Sequence, residues 1–199
     1  MNLTNLSSTK LNRDGPNGAR PNGLGVRVLT ALALCGTGLT GRTLALTAGD
    51  RAPDFVAGGQ WLNSAPLHVS QLRGKVVIVN LWVYSCINCH LSLPTLQNWY
   101  GRYRSAGLEI VGVHTPEFAS DRPLASVAAA LRADRVDWPV MQDNDNATWN
   151  AYQSQGWPSF YLIDRRGVIR AVHVGEISSR FPEAIPGLEA TIKKLLAEK

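Results

Sequence analysis

Two cysteines, Cys86 and Cys89, are separated in the chain by the two residues Ile87 and Asn88. At the N-terminus of a helix, free N–H groups and the helix dipole favour a thiolate, so a cysteine placed there becomes a nucleophile near neutral pH. A second cysteine one turn later can attack a mixed disulfide formed by the first. The spacing therefore predicts thiol–disulfide exchange, with Cys86 as the nucleophile and Cys89 as the resolving thiol.

The elements around the pair suit this chemistry. Val76–Trp82 is an almost continuous run of β-branched and apolar residues, which indicates a central strand covered on both faces. From about Cys86 to Tyr103 apolar residues recur at a roughly helical period, which predicts a helix. The cysteines thus fall where a buried strand meets the start of a helix.

The remaining pattern predicts an α/β domain. Further strands are expected at 108–114, 140–141, 160–164 and 168–174, and further helices at 124–133, 147–153 and 186–196. A short leading hairpin is expected from 61–64 and 67–69. The order β-α-β-α followed by β-β-α predicts a mixed sheet with helices on both faces.

Other uses of two close cysteines explain the pattern less well. A structural disulfide across two residues would constrain little chain, so its entropic effect would be small. A zinc site usually needs four ligands, and the chain has a single Cys-x-x-Cys. A metal (copper) chaperone that adds His90 or His114 to the two cysteines stays open as an alternative, but no resident metal or cofactor is predicted. A peroxidase is disfavoured because the Thr-x-x-Cys arrangement is missing.

Pro158 precedes the predicted strand at 160–164 and has two interpretations. It is either an ordinary trans loop proline or a cis proline packed against the cysteine pair. In the second case the backbone of Trp157 faces the dithiol, where an extended substrate segment can pair with it. The residues alone leave both open.

Net charge argues against nucleic acid as a partner. The chain carries +5, but residues 1–48 hold five basic residues and one acid, which leaves +1 for residues 49–199. The folded part is therefore near neutral, and no nucleic-acid binding is predicted.

The N-terminal part predicts export. Residues 1–25 are rich in Asn, Gly, Pro, Ser and Thr, which is typical of disorder. Residues 28–39 form a short apolar run after Arg27, with small residues near Ala45 and Ala48 that suit signal cleavage. We expect an export signal or a membrane anchor in 1–48, followed by one domain at 49–199. Either places the domain outside the cytoplasm, in the periplasm or cell envelope.

Trp82–Cys89 resembles the active-site segment of the thioredoxin-like domain of DipZ-type proteins, within the TlpA-like group of thiol–disulfide oxidoreductases. Further matches lie at Trp61–Ser64, Leu72–Lys75, Gly112–Phe118, Asp143–Asp145, Ala147–Trp149, Trp157–Pro158 and Gly175–Glu176. The resemblance implies a thioredoxin fold, extracytoplasmic disulfide exchange with protein substrates, and a cis peptide bond before Pro158. It also implies that electrons reach the pair from a separate membrane or soluble thiol donor.

Two positions depart from the resembled pattern. Asn80 stands where many relatives have an aspartate six residues before the first cysteine, and Ser92 stands where many TlpA-like reductases have a glutamate. Both acids are thought to carry a proton to or from the buried thiol. Glu117, after the strand at 108–114, is the candidate replacement; its other interpretation is a helix cap.

Aromatic and uncharged neighbours complete the predicted site. Trp82 and Tyr84 are expected to shield the dithiol and, with Ile87 and Asn88, to shape the docking surface. Because Ile87 and Asn88 add no charge, we expect a moderately reducing pair. The alternative of the same fold is a disulfide-forming oxidant.

Overall fold

The computed structural model describes residues 45–56 and 59–198. The predicted disordered segment 1–25 and the apolar run 28–39 lie outside the described residues. Near the predicted domain boundary, Leu46 already packs against the core, and the N–H of Gly49 donates to the Ile169 carbonyl at 2.9 Å. Ordered packing thus begins a few residues before residue 49.

Six strands form one mixed sheet in the order β1-β4-β3-β2-β5-β6. Their bounds are β1 Trp61–Leu62, β2 Val76–Trp82, β3 Leu108–His114, β4 Val140–Gln142, β5 Ser159–Ile163 and β6 Ile169–Val174. Strands β2, β3 and β4 run parallel, whereas β5 and β6 are antiparallel additions beside β2. The predicted mixed sheet is confirmed, and β2 lies inside it with all seven residues buried.

Four α-helices cover the sheet: α1 Ile87–Tyr103, α2 Leu124–Ala133, α3 Ala147–Ala151 and α4 Ala184–Ala197. Alternation along β2 divides its side chains between two cores. Val76, Ile78 and Trp82 join the core with helices α1, α2 and α4, while Val77, Val79 and Leu81 join the core on the opposite face. Helices thus lie on both faces, as predicted, and the start of α1 is fixed above the end of β2.

The predicted leading hairpin is wrong. Trp61–Leu62 forms a strand, but it pairs antiparallel with Val140–Met141 of β4. Residues 67–69 form no second strand, and Val69–Leu72 is a 3₁₀ helix. The Asp54 carboxylate fixes this turn, because it accepts the Val69 N–H at 2.8 Å and contacts the His68 ring at 2.9 Å.

Candidate active site

Cys86 lies directly before α1, at its N-cap. A short turn after Trp82 delivers it there, with the Cys86 N–H donating to the Val83 carbonyl at 3.2 Å. The Cys86 carbonyl in turn accepts the N–H groups of Cys89 and His90 at 3.1 and 3.2 Å, which closes the first helical turn. The strand–helix junction predicted for the pair is confirmed.

The surroundings of Cys86 favour its thiolate. Its pKa is lowered to about 6, first because the Cys89 thiol donates a hydrogen bond to it. Partial burial opposes this shift, whereas the backbone N–H groups of Cys89 and Asn88 support it, and the Glu117 charge opposes it. Cys86 is partly exposed and therefore accessible to a substrate.

Cys89 has the opposite properties. It is 3% exposed and packs in the core with Trp82 and Leu93. Burial raises the pKa of the Cys89 thiol far above its usual range, and the neighbouring Cys86 and Glu117 raise it further. Cys89 therefore stays protonated until a change at Cys86 alters its surroundings.

The Trp157–Pro158 peptide bond is cis, as the resemblance implies. Pro158 is buried, and its carbonyl accepts the N–H of Gly175 at 2.8 Å. Trp157 is half-buried, and its ring contacts that of Trp149 at a tilt of 33°, with ring centroids 4.4 Å apart. This contact between the two indoles fixes the orientation of Trp157, the residue before the cis proline.

Asn80 and Ser92 occupy the two positions where relatives carry acids, and both make structural hydrogen bonds. Asn80 is 3% exposed, and its amide lies 3.4 Å from the carbonyls of Leu81 and Ser159. The Ser92 hydroxyl donates to the Asn88 carbonyl at 2.8 Å and accepts the Ile177 N–H at 3.0 Å. Both side chains bind the backbone, and neither titrates at ordinary pH.

Glu117 is exposed and lies close enough to the dithiol that its charge raises the pKa of both cysteines. The alternative interpretation of Glu117 as a cap fails. The Asp121 carboxylate accepts the N–H groups of Glu117 and Phe118 at 3.2 and 2.9 Å, so Asp121 caps this segment.

An aromatic cluster supports the turn before Cys86. His114 is fully buried, stacks on Tyr84 with ring centroids 5.5 Å apart, and meets Trp82 edge-on at 5.4 Å. Burial lowers the pKa of His114 to about 4, although Asp121 opposes the shift. His114 is therefore a packed core residue. The Tyr84 hydroxyl donates to the Ser120 carbonyl at 2.7 Å, so the cluster connects the turn to the segment carrying Glu117.

His90, the residue after Cys89, is half-buried. Its Nε2 donates to the Tyr84 carbonyl at 2.5 Å, and its Nδ1 lies 3.1 Å from the Asp134 carboxylate. The ring therefore connects the turn before Cys86 to the end of α2.

Sequence reasoning assigned no role to Glu176. The Glu176 side chain is only 2% exposed, accepts a hydrogen bond from Ser178, and lies 3.6 Å from the Arg180 guanidinium. The signal available in the sequence was the Gly175–Glu176 match, which marks the position without indicating its burial.

Two structural features concern a metal site and a membrane-spanning segment in the described part of the chain. Across residues 45–56 and 59–198, no three His, Cys, Asp or Glu side chains are grouped to hold a metal ion. Over the same residues, no helix is both long and apolar enough to cross a membrane.

The AhpC/TSA family matches residues 48–172, so the chain belongs to this family. Within it, the similarity is to thioredoxin-like domains. The chain is 41% identical over 128 residues to the Protein DipZ of Mycobacterium bovis, which covers 63% of this chain and 18% of that protein. The chain thus spans under a fifth of the length of DipZ.

Two further comparisons agree with this class. The thiol-disulfide oxidoreductase ResA of Geobacillus kaustophilus is 29% identical over 134 residues, covering 67% of this chain and 73% of ResA. The crystal structure of a thiol-disulfide isomerase from Corynebacterium glutamicum has a TM-score of 0.63 and 25% identity, covering 74% of this chain and 98% of that one. The predicted thioredoxin fold and the resemblance to DipZ-type domains are confirmed, and the relatives support the predicted enzyme class, a thiol–disulfide oxidoreductase.

Proposed function

We propose that this protein reduces disulfide bonds in protein substrates outside the cytoplasm, through Cys86 and Cys89. The observation that carries the proposal is the contrast between the two thiols. One is accessible, begins a helix and has a pKa of about 6, whereas the other is buried and has a raised pKa. Disulfide exchange needs these two roles, an exposed nucleophilic thiolate and a protected resolving thiol.

The reaction follows from that contrast. The Cys86 thiolate attacks one sulfur of the substrate disulfide, and the other substrate sulfur leaves as a thiolate that takes up a proton. Cys89 then loses its proton and attacks the Cys86 sulfur, which releases the second substrate thiolate. The substrate gains two electrons, and the enzyme is left with a Cys86–Cys89 disulfide. A separate membrane or soluble thiol donor then reduces this disulfide.

The pKa of Cys86 supports the reducing direction. Strong oxidants of this fold stabilise the nucleophilic thiolate to a pKa of about 3.5, whereas the reductant thioredoxin has a value of about 7. At about 6, Cys86 lies nearer the reductant. The uncharged Ile87 and Asn88 agree with this direction.

Exposed apolar side chains around Cys86 suit a protein substrate. Ile87 is 64% exposed beside the nucleophile, and Phe118 is 58% exposed on the segment bound by Tyr84. In our proposal the backbone of Trp157, before the cis Pro158, pairs with an extended substrate segment. Aromatic side chains are enriched at protein–protein interfaces, so an exposed Phe118 favours a polypeptide over a small polar substrate.

Glu117 is our candidate carrier for the Cys89 proton. Its charge acts on both thiols, and the two neutral side chains Asn80 and Ser92 cannot take the proton up. An exposed carboxylate exchanges its proton freely with water, which a carrier must do after each turnover.

We also propose that the N-terminal segment exports the domain or attaches it to a membrane. The support is the basic and apolar pattern before residue 49, together with a chemistry that finds substrates in oxidising compartments. Fusing residues 1–48 to a reporter enzyme active only after export should yield activity; a reporter retained in the cytoplasm contradicts this part of the proposal.

Trapping tests the reaction itself. Cys89→Ser should accumulate Cys86 in mixed disulfides with client proteins, because the resolving attack is removed. The matched Cys86→Ser variant should trap none. Non-reducing electrophoresis and mass spectrometry identify the adducts. Adducts on Cys89 in the second variant would reverse the roles, and no adducts in either would refute the proposal.

A further inference from the structure

An open groove of about 440 Å³ begins beside the dithiol and runs between the end of β6 and the start of α4. We call it the Glu176 groove, and its main lining residues are Asn88, His173, Val174, Glu176, Phe181 and Glu183. Asn88 lies between the two cysteines, so a substrate bound at Cys86 reaches this groove directly. Val174 and Phe181 are about half exposed, at 48% and 51%, and give the groove apolar walls.

Two polar atoms in this lining are buried without a hydrogen-bond partner in the described part of the chain: Oε2 of Glu176 and Nε2 of His173. An unpaired buried carboxylate oxygen is costly, and such groups in folded proteins usually find a partner. The charge that does approach is Arg180, 3.6 Å from Oε2, but its side chain is 58% exposed and lies over Phe181 at 5.7 Å. Arg180 therefore approaches this oxygen without forming a hydrogen bond.

The backbone holds Glu176 in place on both sides. Before it, the Gly175 N–H donates to the carbonyl of the cis Pro158 at 2.8 Å. After it, Ile177 accepts a hydrogen bond from Thr95 at 2.7 Å and donates to Ser92 at 3.0 Å, both on α1. The carboxylate thus has a fixed position between the cis proline and the helix that carries Cys89.

We propose that the Glu176 groove is a specificity subsite that binds an arginine or lysine side chain of the substrate, close to the disulfide being reduced. The basic group pairs with Oε2 of Glu176 in place of Arg180, and its aliphatic stem packs between Val174 and Phe181. Glu183 on the rim adds a second negative charge, so two acids face one weakly held cation. This inference rests on the proposed disulfide reduction and adds a preference among substrates.

Peptide disulfides that are identical except for one residue near the cysteine test the preference. That residue is Arg, Gln or Glu, and kcat/KM is measured for the full-length protein with a thiol reductant in excess as the electron donor. We expect Arg to exceed Gln by about tenfold, as expected for one hydrogen bond to a charged group, and Glu to be the poorest. A neutral dipyridyl disulfide, too small to fill the groove, reports the basal chemistry.

Variants assign the effect to the groove. Glu176→Gln should bring the kcat/KM values of the Arg and Gln peptides to within about twofold of each other, each expressed relative to the dipyridyl rate of the same variant. Arg180→Ala should increase the preference for Arg, because it removes the competing cation. Asp137→Asn, an exposed acid on the loop after α2 and outside the groove, is the matched control and should change nothing.

The outcomes separate the two proposals. Equal kcat/KM for the three peptides, or an Arg preference that survives Glu176→Gln, overturns the subsite. If the wild-type protein fails to reduce even the dipyridyl disulfide, disulfide reduction itself is refuted. Should Glu176→Gln not fold, the peptide series on the wild-type protein and on Arg180→Ala still decides.

Discussion

Two buried carboxylates, Asp164 and Glu176, lie at opposite ends of the sheet and are equally inaccessible, each with a side chain 2% exposed. Asp164 accepts the N–H groups of Arg166 and Val168 at 2.9 Å each, and it binds Arg170 through two nitrogens at 2.8 and 2.6 Å. Glu176 has one bond from Ser178 and an oxygen with no hydrogen-bond partner in the described residues.

The comparison separates a structural carboxylate from one available for binding. At the Asp164 end, every carboxylate lone pair is used to hold the β5–β6 hairpin. At the dithiol end, partly satisfied polar groups and exposed apolar side chains lie together around Cys86. Buried polar atoms left without partners are more often found at sites of function than in supporting structure, because their cost must be offset by a ligand or a reaction. The two ends should therefore respond differently to substitution.

The largest expected effect is at the structural end. Asp164→Asn should lower the free energy of unfolding by about 3 kcal/mol at pH 7, because half-buried Arg170 and two N–H groups lose a charged acceptor at a buried site. Urea denaturation measures this. The rate at which iodoacetamide alkylates Cys86 in the folded variant is the control and should match the wild type. A variant as stable as the wild type would contradict the structural role of Asp164.

Asp164 should also determine how the stability of the protein changes at low pH. Burial alone would raise the pKa of Asp164, but the N–H of Val168 and the charge of Arg170 lower it below its usual value. Its contribution to stability is therefore complete above the unfolded pKa of about 3.9 and is lost as the pH falls through the lower folded value. Asp164→Asn should show a weaker loss of stability over that range.

At the reactive end, Glu117→Gln should slow reduction of a protein disulfide by about 10²-fold, the low end for a positioned acid–base group. Its free energy of unfolding should stay unchanged, since the Glu117 side chain is exposed. Asn80→Asp should partly rescue the variant by restoring an acid on the face of β2 that Cys89 packs against. If the rate and its pH profile survive Glu117→Gln, water carries the proton.

The rate of attack should depend on pH through Cys86. With a small disulfide in excess, the rate should be level above about pH 7 and fall about tenfold per pH unit below the pKa of about 6. Cys89→Ala should move the midpoint upward, because the thiol that contributes most to lowering the pKa is gone. Stopped-flow measurements of the first step provide both curves. An unchanged midpoint in the variant would show that the helix N-terminus alone lowers the pKa of Cys86.

The smallest effect is expected at the N-terminal boundary. The sequence predicts no core residue before residue 49, whereas the structure packs Leu46 against the core and binds Thr47 to Asp50 at 2.8 Å. Deleting residues 1–44 should change the free energy of unfolding by no more than about 0.5 kcal/mol. Deleting 1–48 should lower it by about 1 kcal/mol through loss of the Leu46 contact, with activity retained. Equal stability of the two truncations would support the predicted boundary at residue 49.

Local patterns predicted most of the fold. Three elements begin and end where the sequence predicts, because the pattern of apolar residues in each matches the residues that are buried. They are Val76–Trp82, Leu108–His114 and Leu124–Ala133. The hairpin failed because the partner of Trp61–Leu62 is Val140–Met141, far along the chain, and nothing in the local sequence encodes that pairing.

The sequence predicted the site residues whose role depends on local spacing. It did not predict those whose burial depends on contacts that form only when the chain folds. Cys86 and Cys89 carry their spacing and helix position in the sequence itself. Glu176 does not, because its burial depends on Ser92 and Pro158, which meet the Gly175–Ile177 segment only in the folded chain. The half-burial of His90 has the same origin, since its partner Asp134 follows another helix, α2.

Gly175 is hydrogen-bonded to Pro158, and Ile177 to Ser92. These bonds affect the entropy change when a substrate binds. The backbone on both sides of the dithiol is already ordered before a substrate arrives, so binding removes little conformational entropy from the enzyme. In our proposal the loss comes from the substrate, whose segment becomes extended next to Trp157. Disulfides in loosely structured chains, which can adopt that extension at low cost, are therefore the ones this rigid surface should reduce fastest.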